Sequence, residues 1–175
     1  MKTTDWNASR FFRGLTAMNP LAKENGFTFC QVSGLEGFEE ALQKMQSHTA
    51  FVCVSNLSEG FIELDNTPHS RKVKTVFLAM RHAIDDMDAR QECMEIMQEL
   101  FRQYMSVLVL EKTRLQEESI YLDSRIKFSE IDEYFFSGCA CAFFQIAFDI
   151  YTDLVFNPND WDGQAFDEEF TQHYA

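Results

Sequence analysis

The chain has 175 residues, 46% of them apolar and 18 of them Phe, enough for one domain with a ring-rich core and too apolar for disorder along most of its length. Its 28 acidic against 15 basic residues leave a formal charge of −13. That field repels free nucleic acid and anionic membrane, and so disfavours sequence-specific DNA binding, although a local basic patch such as Arg71, Lys72 and Lys74 survives inside it. No apolar run reaches the roughly 18 residues of a membrane span, and the opening MKTTDWNASRFFRG lacks a signal-length apolar stretch, so a cytoplasmic protein without export is expected.

In chain order, Thr4 to Met18 reads as a helix, capped by Thr4 or Asp5, with Trp6, Phe11, Leu15 and Met18 on one face and Pro20 beyond its end. Asn25-Gly26 marks a turn and Phe27 to Val32 a short strand. Ser33 with Glu36 has the capping-box spacing, and Leu35, Phe38, Leu42 and Met45 then recur at helical spacing to about His48. Ala50 to Val54 is an apolar strand, Ser55 to Gly60 is rich in turn residues, and Phe61 to Leu64 resumes an alternating pattern, so a hairpin is expected there. A loop around Pro68 precedes a strand from Val73 to Met80.

Asp88 with Gln91 gives a capping-box variant at the start of the longest helix, which runs to about Lys112. Cys93, Ile96, Met97, Leu100, Phe101, Tyr104 and Leu108 form its apolar stripe, and Glu92, Glu95, Glu99, Arg102 and Gln103 its wet side. Thr113 to Ser124 is polar around Ile120-Tyr121-Leu122, and Arg125 to Tyr134 reads as a half-exposed strand. Gly138 to Phe156 alternates Ala142, Phe144, Ile146, Phe148 and Ile150 with Cys141, Gln145 and Asp149, a long core strand that needs partners on both edges and a layer over its buried face. The expected class is α+β, with an antiparallel or mixed sheet of about five to six strands and two main amphipathic helices packed on one face. Residues 1 to 156 make the single domain. Residues 157 to 175 make an acidic tail with Asp160, Asp162, Asp167, Glu168 and Glu169, no Lys or Arg, and Trp161, Phe166 and Phe170 as docking points.

The residues offer little chemistry. Cys30, Cys53, Cys93, Cys139 and Cys141 are odd in number and irregular in spacing, which argues against a disulfide framework; the four in strand-like runs read as small buried hydrophobes. Cys139 and Cys141 lie on one side of a strand, but no second cysteine or histidine pair completes a four-ligand site, so no metal and no cofactor is expected. No local signature joins a cysteine to His48, His69, His82 or His173. Asp85, Asp86 and Asp88 lack a calcium loop's Gly and terminal Glu and stand where a helix N-terminus favours negative charge. With only 7 glycines and no phosphate cradle, nucleotide binding has no motif. No catalytic residue is assigned, and an enzyme is not expected.

The stretches RQECMEIMQELFRQYMSVL and RIKFSEIDEYFFSGCACAFFQIAFDIYTDL, with the early hairpin and the helix ahead of it, resemble in layout the small tail-terminator and neck or tail-completion proteins of tailed bacteriophages and prophages. The resemblance covers Phe27 to Phe156 and implies a structural subunit of a homo-oligomeric ring that caps the tail tube and joins tail to head. The partners would be other tail or head-tail connector proteins, with no specific nucleic acid and no membrane. The loops Asp65 to Lys74 and Thr113 to Ser124, with the sheet edges, are the expected contacts. Two other readings stay open: a small intracellular module whose acidic aromatic tail binds a basic partner, and an enzyme with a cryptic Cys-His or carboxylate site.

Overall fold

The computed structural model describes residues 6–56, 59–64, 68–83, 85–131, 138–155 and 157–160. Its spine is a pair of 13-residue strands, β4 (His69–Arg81) and β7 (Cys139–Tyr151), paired antiparallel from His69 opposite Tyr151 to Arg81 opposite Cys139. On the far side of β4 lie β2 (Ala50–Ser55) and β3 (Glu59–Glu63), end to end, and β1 (Phe27–Val32) runs parallel to β2 at the edge. On the far side of β7 lie β5 (Ile120–Leu122) and β6 (Phe128–Ile131), also end to end. The result is a mixed sheet of 7 strands, in the α+β class that the sequence pattern predicts.

Both outer rows are broken in the same way. The register slips between Val54 opposite Val76 and Glu59 opposite Val73, and again between Phe128 opposite Phe144 and Ile120 opposite Ile150. Each slip lets extra residues leave the ladder, as a bulge does. Lys74 fills the first gap, its Nζ donating to the carbonyls of Ser55 and Asn56 at 3.2 and 2.7 Å. Asp123 marks the second, its N–H donating to the Ala147 carbonyl at 2.9 Å. The expected hairpin between Ala50–Val54 and Phe61–Leu64 is therefore not made: β3 pairs with β4, and the turn-rich residues before it serve a break in one line of pairing.

Alternation sorts the side chains onto two faces. Val52, Val54, Val76, Leu78, Ala142, Phe144, Ile146, Phe148 and Ile150 point to the first face, where α1 (Ala8–Met18) and α4 (Met87–Glu117) pack. Phe51, Cys53, Phe77, Ala79 and Cys141 point to the second, covered by α3 (Gly34–Lys44) through Phe38 and Leu42. α1 and α4 thus share one face as two packed helices, while α3 lies across the sheet from them. Phe144 is the centre of the first layer, fully buried, with Phe101 at 5.0 Å and Phe12 at 5.7 Å between ring centroids. Polar ties fix α1 against α4 in antiparallel order: Trp6 Nε1 to Glu111 at 3.2 Å, the Tyr104 hydroxyl to Thr16 Oγ1 at 2.9 Å, and Asn19 Nδ2 to Gln103 at 2.7 Å.

Helix ends differ most from expectation. Thr4 and Asp5 lie outside the described residues, and Asn7 caps α1 by accepting from the Arg10 N–H. Phe12, fully buried, leads its inner face, while Met18 is 69% exposed. Pro20 does not merely follow that helix; it opens a second, α2 (Pro20–Glu24), where a missing N–H costs nothing. Ser33 makes no side-chain cap bond and Leu35 is exposed, so the predicted capping box is not formed. The cap of α4 is Asp86, accepting from Ala89, and Gln91 instead bonds Glu95. Ile120–Leu122 is a strand rather than part of a polar loop, because Ile120 and Leu122 bury beside Ile150 and Phe148. The acidic segment 161–175 lies outside the described residues.

Thr16 has one hydroxyl proton and gives it to the Phe12 carbonyl at 2.7 Å, so the Tyr104 hydroxyl donates to Thr16. Burial raises the Tyr104 phenol to about 12. An unfolded chain ionises this group near the ordinary value of 10 and the folded one resists, so stability should fall as pH rises from 10 toward 12. Tyr104→Phe should remove that alkaline component and cost about 1 kcal/mol at neutral pH, read by urea melts at both pH values.

Candidate functional site on the open half of the sheet

Length decides where the sheet lacks cover. The 31 residues of α4 extend about 46 Å, comparable with the roughly 44 Å of a 13-residue strand, whereas the 11 residues of α3 extend about 16 Å. α3 therefore shields only the half of the second face where β1 and β2 lie. The other half, over β3, the start of β4, the end of β7 and β5, carries no helix among the described residues.

One row of directly paired residues crosses this open half: Phe61, Arg71, Asp149 and Tyr121. Direct partners in a ladder share a face, so two exposed aromatic rings flank an ion pair. Arg71 donates to Asp149 at 3.1 Å and to Asp123 at 2.6 Å, bridging two strands and the break between β5 and β6. The Arg125 N–H and the Arg71 guanidinium hold the Asp123 carboxyl below its ordinary 3.8, and the bond to Asp123 in turn raises Arg71. Beside this triad a groove of about 400 Å³ has Val73, Ala147, Gln145 and Phe143 as its floor and Arg125 and Lys127 on its rim. Ile126 between them turns to the opposite face and packs against the main core. The surface thus combines cationic side chains at its rim with apolar side chains in its floor, and it also holds the Asp123 carboxylate and the Ser129 hydroxyl.

The basic patch expected at Arg71, Lys72 and Lys74 is divided by the pleat. Arg71 faces the groove, and Lys72 and Lys74 line a separate cavity of about 310 Å³ with Trp6, Asn7 and Gln31. Burial, then the like charge of Lys72, lowers the Lys74 ammonium. Of the loop expected from Asp65 to Lys74, His69 onward is central strand and 65–67 lie outside the described residues; of Thr113 to Ser124, residues up to Glu117 complete α4.

Cys30 and Cys53 are not separate buried thiols. They are register partners on β1 and β2, with Cα atoms 4.7 Å apart, and form a disulfide. Cys93, Cys139 and Cys141 remain buried thiols, pushed up by burial and thus poor nucleophiles. His48 contacts Ser47, His69 pairs with Glu63, and His82 meets the Ala83 carbonyl, while His173 lies outside the described residues. Among the described residues no three His, Cys, Asp or Glu side chains group as a metal site, and no helix is long and apolar enough to cross a membrane. No known protein family's sequence profile matches the chain, and no curated protein matches it.

Removing Arg71 leaves Asp123 and Asp149 facing each other. Arg71→Met should cost about 1 to 2 kcal/mol at pH 7, a figure reduced for the partial exposure of the triad. Folding lowers the Asp123 value, so this contribution is present above about pH 4 and is lost as pH falls through the lower folded value. The gap between wild type and variant in chemical denaturation should therefore narrow below about pH 4.

Proposed function

We propose that this protein is a structural subunit of a tailed-phage or prophage tail or neck assembly, closing with copies of itself into a ring that caps the tail tube and joins tail to head. The observation that carries self-association is the apolar surface gathered at the open end of the sheet. Phe61 and Leu64 of the β3 region are 54 and 73% exposed, Ile62 is 53% exposed on the face of β3 opposite Phe61, and Tyr121, Tyr151, Leu154 and Val155 are exposed at the neighbouring strand ends. Apolar side chains exposed together beside unhelixed strands mark contact surfaces in assembling proteins.

Three further features support the tail reading. The long amphipathic helix over a mixed sheet agrees with the layout in which the sequence resembles tail-terminator and tail-completion proteins. The groove and ion triad offer charged and apolar side chains that suit contact with another subunit. A charge of −13 suits a ring through which DNA passes, since its lumen should not grip phosphate. The reading places the protein in the cytoplasm until it joins a virion, with connector proteins as partners and neither membrane nor specific DNA sequence among them.

Light scattering after gel filtration, at several concentrations and two salt levels, tests this. A discrete closed oligomer is expected, and Phe61→Asp with Ile62→Asp should shift it to a monomer that keeps the wild-type circular dichroism spectrum, because both side chains are exposed, and that melts lower only by the stabilisation the assembly supplied. A wild-type chain that is monomeric at every concentration would overturn ring formation.

A further inference from the structure

A closed ring needs a heterologous contact, in which two different patches of each subunit complement one another. We propose that one such contact is made between the basic groove of the open sheet half and residues 161–175 of a second copy of this chain. This inference rests on the self-association reading above.

The groove supplies two kinds of recognition. Its positive charge comes from Arg125 and Lys127, because Arg71 is already matched by Asp123 and Asp149. Neither the Arg125 guanidinium nor the Lys127 ammonium has a partner among the described residues, and both are exposed. Its apolar contribution comes from Val73, Ala147 and Phe143 in the floor, flanked by Phe61 and Tyr121. A matching ligand is acidic, carries rings and lacks competing cations.

The sequence WDGQAFDEEFTQHYA at 161–175 has this chemistry: Asp162, Asp167, Glu168 and Glu169, with Trp161, Phe166, Phe170 and Tyr174, and no Lys or Arg. Its 15 residues follow Asp160 and, if extended, reach about 50 Å, enough to cross to a neighbouring subunit. Charge pairing across such an interface sets partner orientation and on-rate, while the rings supply burial. Nucleic acid is the less favoured ligand, because the remaining surface repels phosphate.

The test measures the fluorescence anisotropy of labelled WDGQAFDEEFTQHYA against the full chain. The host carries Asp167→Lys, Glu168→Lys and Glu169→Lys, so that its own segment has the wrong charge to compete. Saturable binding is expected, weakened about tenfold or more when Arg125→Glu and Lys127→Glu are added, and weakened by salt. Equal binding to the two hosts, or no binding to either, overturns the proposal, as does preference for a labelled DNA oligonucleotide over the peptide. If the peptide binds this host but wild type stays monomeric by light scattering, the segment docks on its own chain and the second-copy assignment is overturned. A wild-type ring with no peptide binding removes this contact and leaves ring formation standing.

Discussion

The pairing of β4 with β7 is the constraint on which everything else depends. Because the two strands match along their whole length, β2, β3, β5 and β6 attach to their outer edges and β1 adds beyond β2, and each edge is longer than any strand that fills it. Two short strands fill each edge in succession, and the slip between them opens the gaps that Lys74 and Asp123 occupy. Those gaps would otherwise leave backbone carbonyls and amides unsatisfied near the core, a cost comparable to a lost hydrogen bond for each. The same two residues therefore sit where the fold needs polar atoms and where the surface cavities lie.

The two cavities differ because the pleat separates them. Arg71 and Lys72 are sequence neighbours on opposite faces: one ends in a triad beside an aromatic row, the other beside Trp6 and the start of α1. A charge count along the chain cannot see this division. It also cannot see that the charge of Arg71 is consumed by two carboxylates, which leaves the segment between β5 and β6 as the source of the groove's positive character.

What is legible in the sequence follows from short-range periodicity. Phe27–Val32 and the Cys139–Tyr151 core read as strands because alternation and β-branched or aromatic content are local signals, and the inner stripe of α4 from Cys93 to Leu108 follows from helical spacing. What stays hidden depends on partners distant in the chain. Sequence order suggests that β3 pairs with the strand before it, because neighbours usually pair, whereas its partner is the strand that follows. The Cys30–Cys53 bond depends on a parallel crossover that brings β1 beside β2 through α3, and cysteine spacing carries no trace of that. Ser33 and Asp88 have capping-box spacing, yet spacing alone does not choose which of several polar residues reaches the first free N–H: Asp86 does so for α4, and Ser33 does not for α3.

The boundary of the open half is, however, written in β7. From Cys139 to Phe144 the strand carries only small apolar, cysteine or aromatic side chains on both faces, and from Gln145 onward only one face stays apolar, with Gln145, Ala147, Asp149 and Tyr151 on the other. A strand covered on both sides tolerates the first pattern, and a strand covered on one side needs the second. The change falls where the short helix α3 ends its cover. The first half of β4 repeats the message more weakly, with His69, Arg71 and Thr75 around a single apolar Val73 where its second half has Phe77 and Ala79. Had this half been destined for another helix of the same chain, burying Arg71 and Asp149 beneath it would have required desolvating an ion pair for no packing gain. Left open, the same pair stays hydrated and leaves its aromatic neighbours available for contact, which is why the polar switch in the strand and the proposed assembly surface coincide.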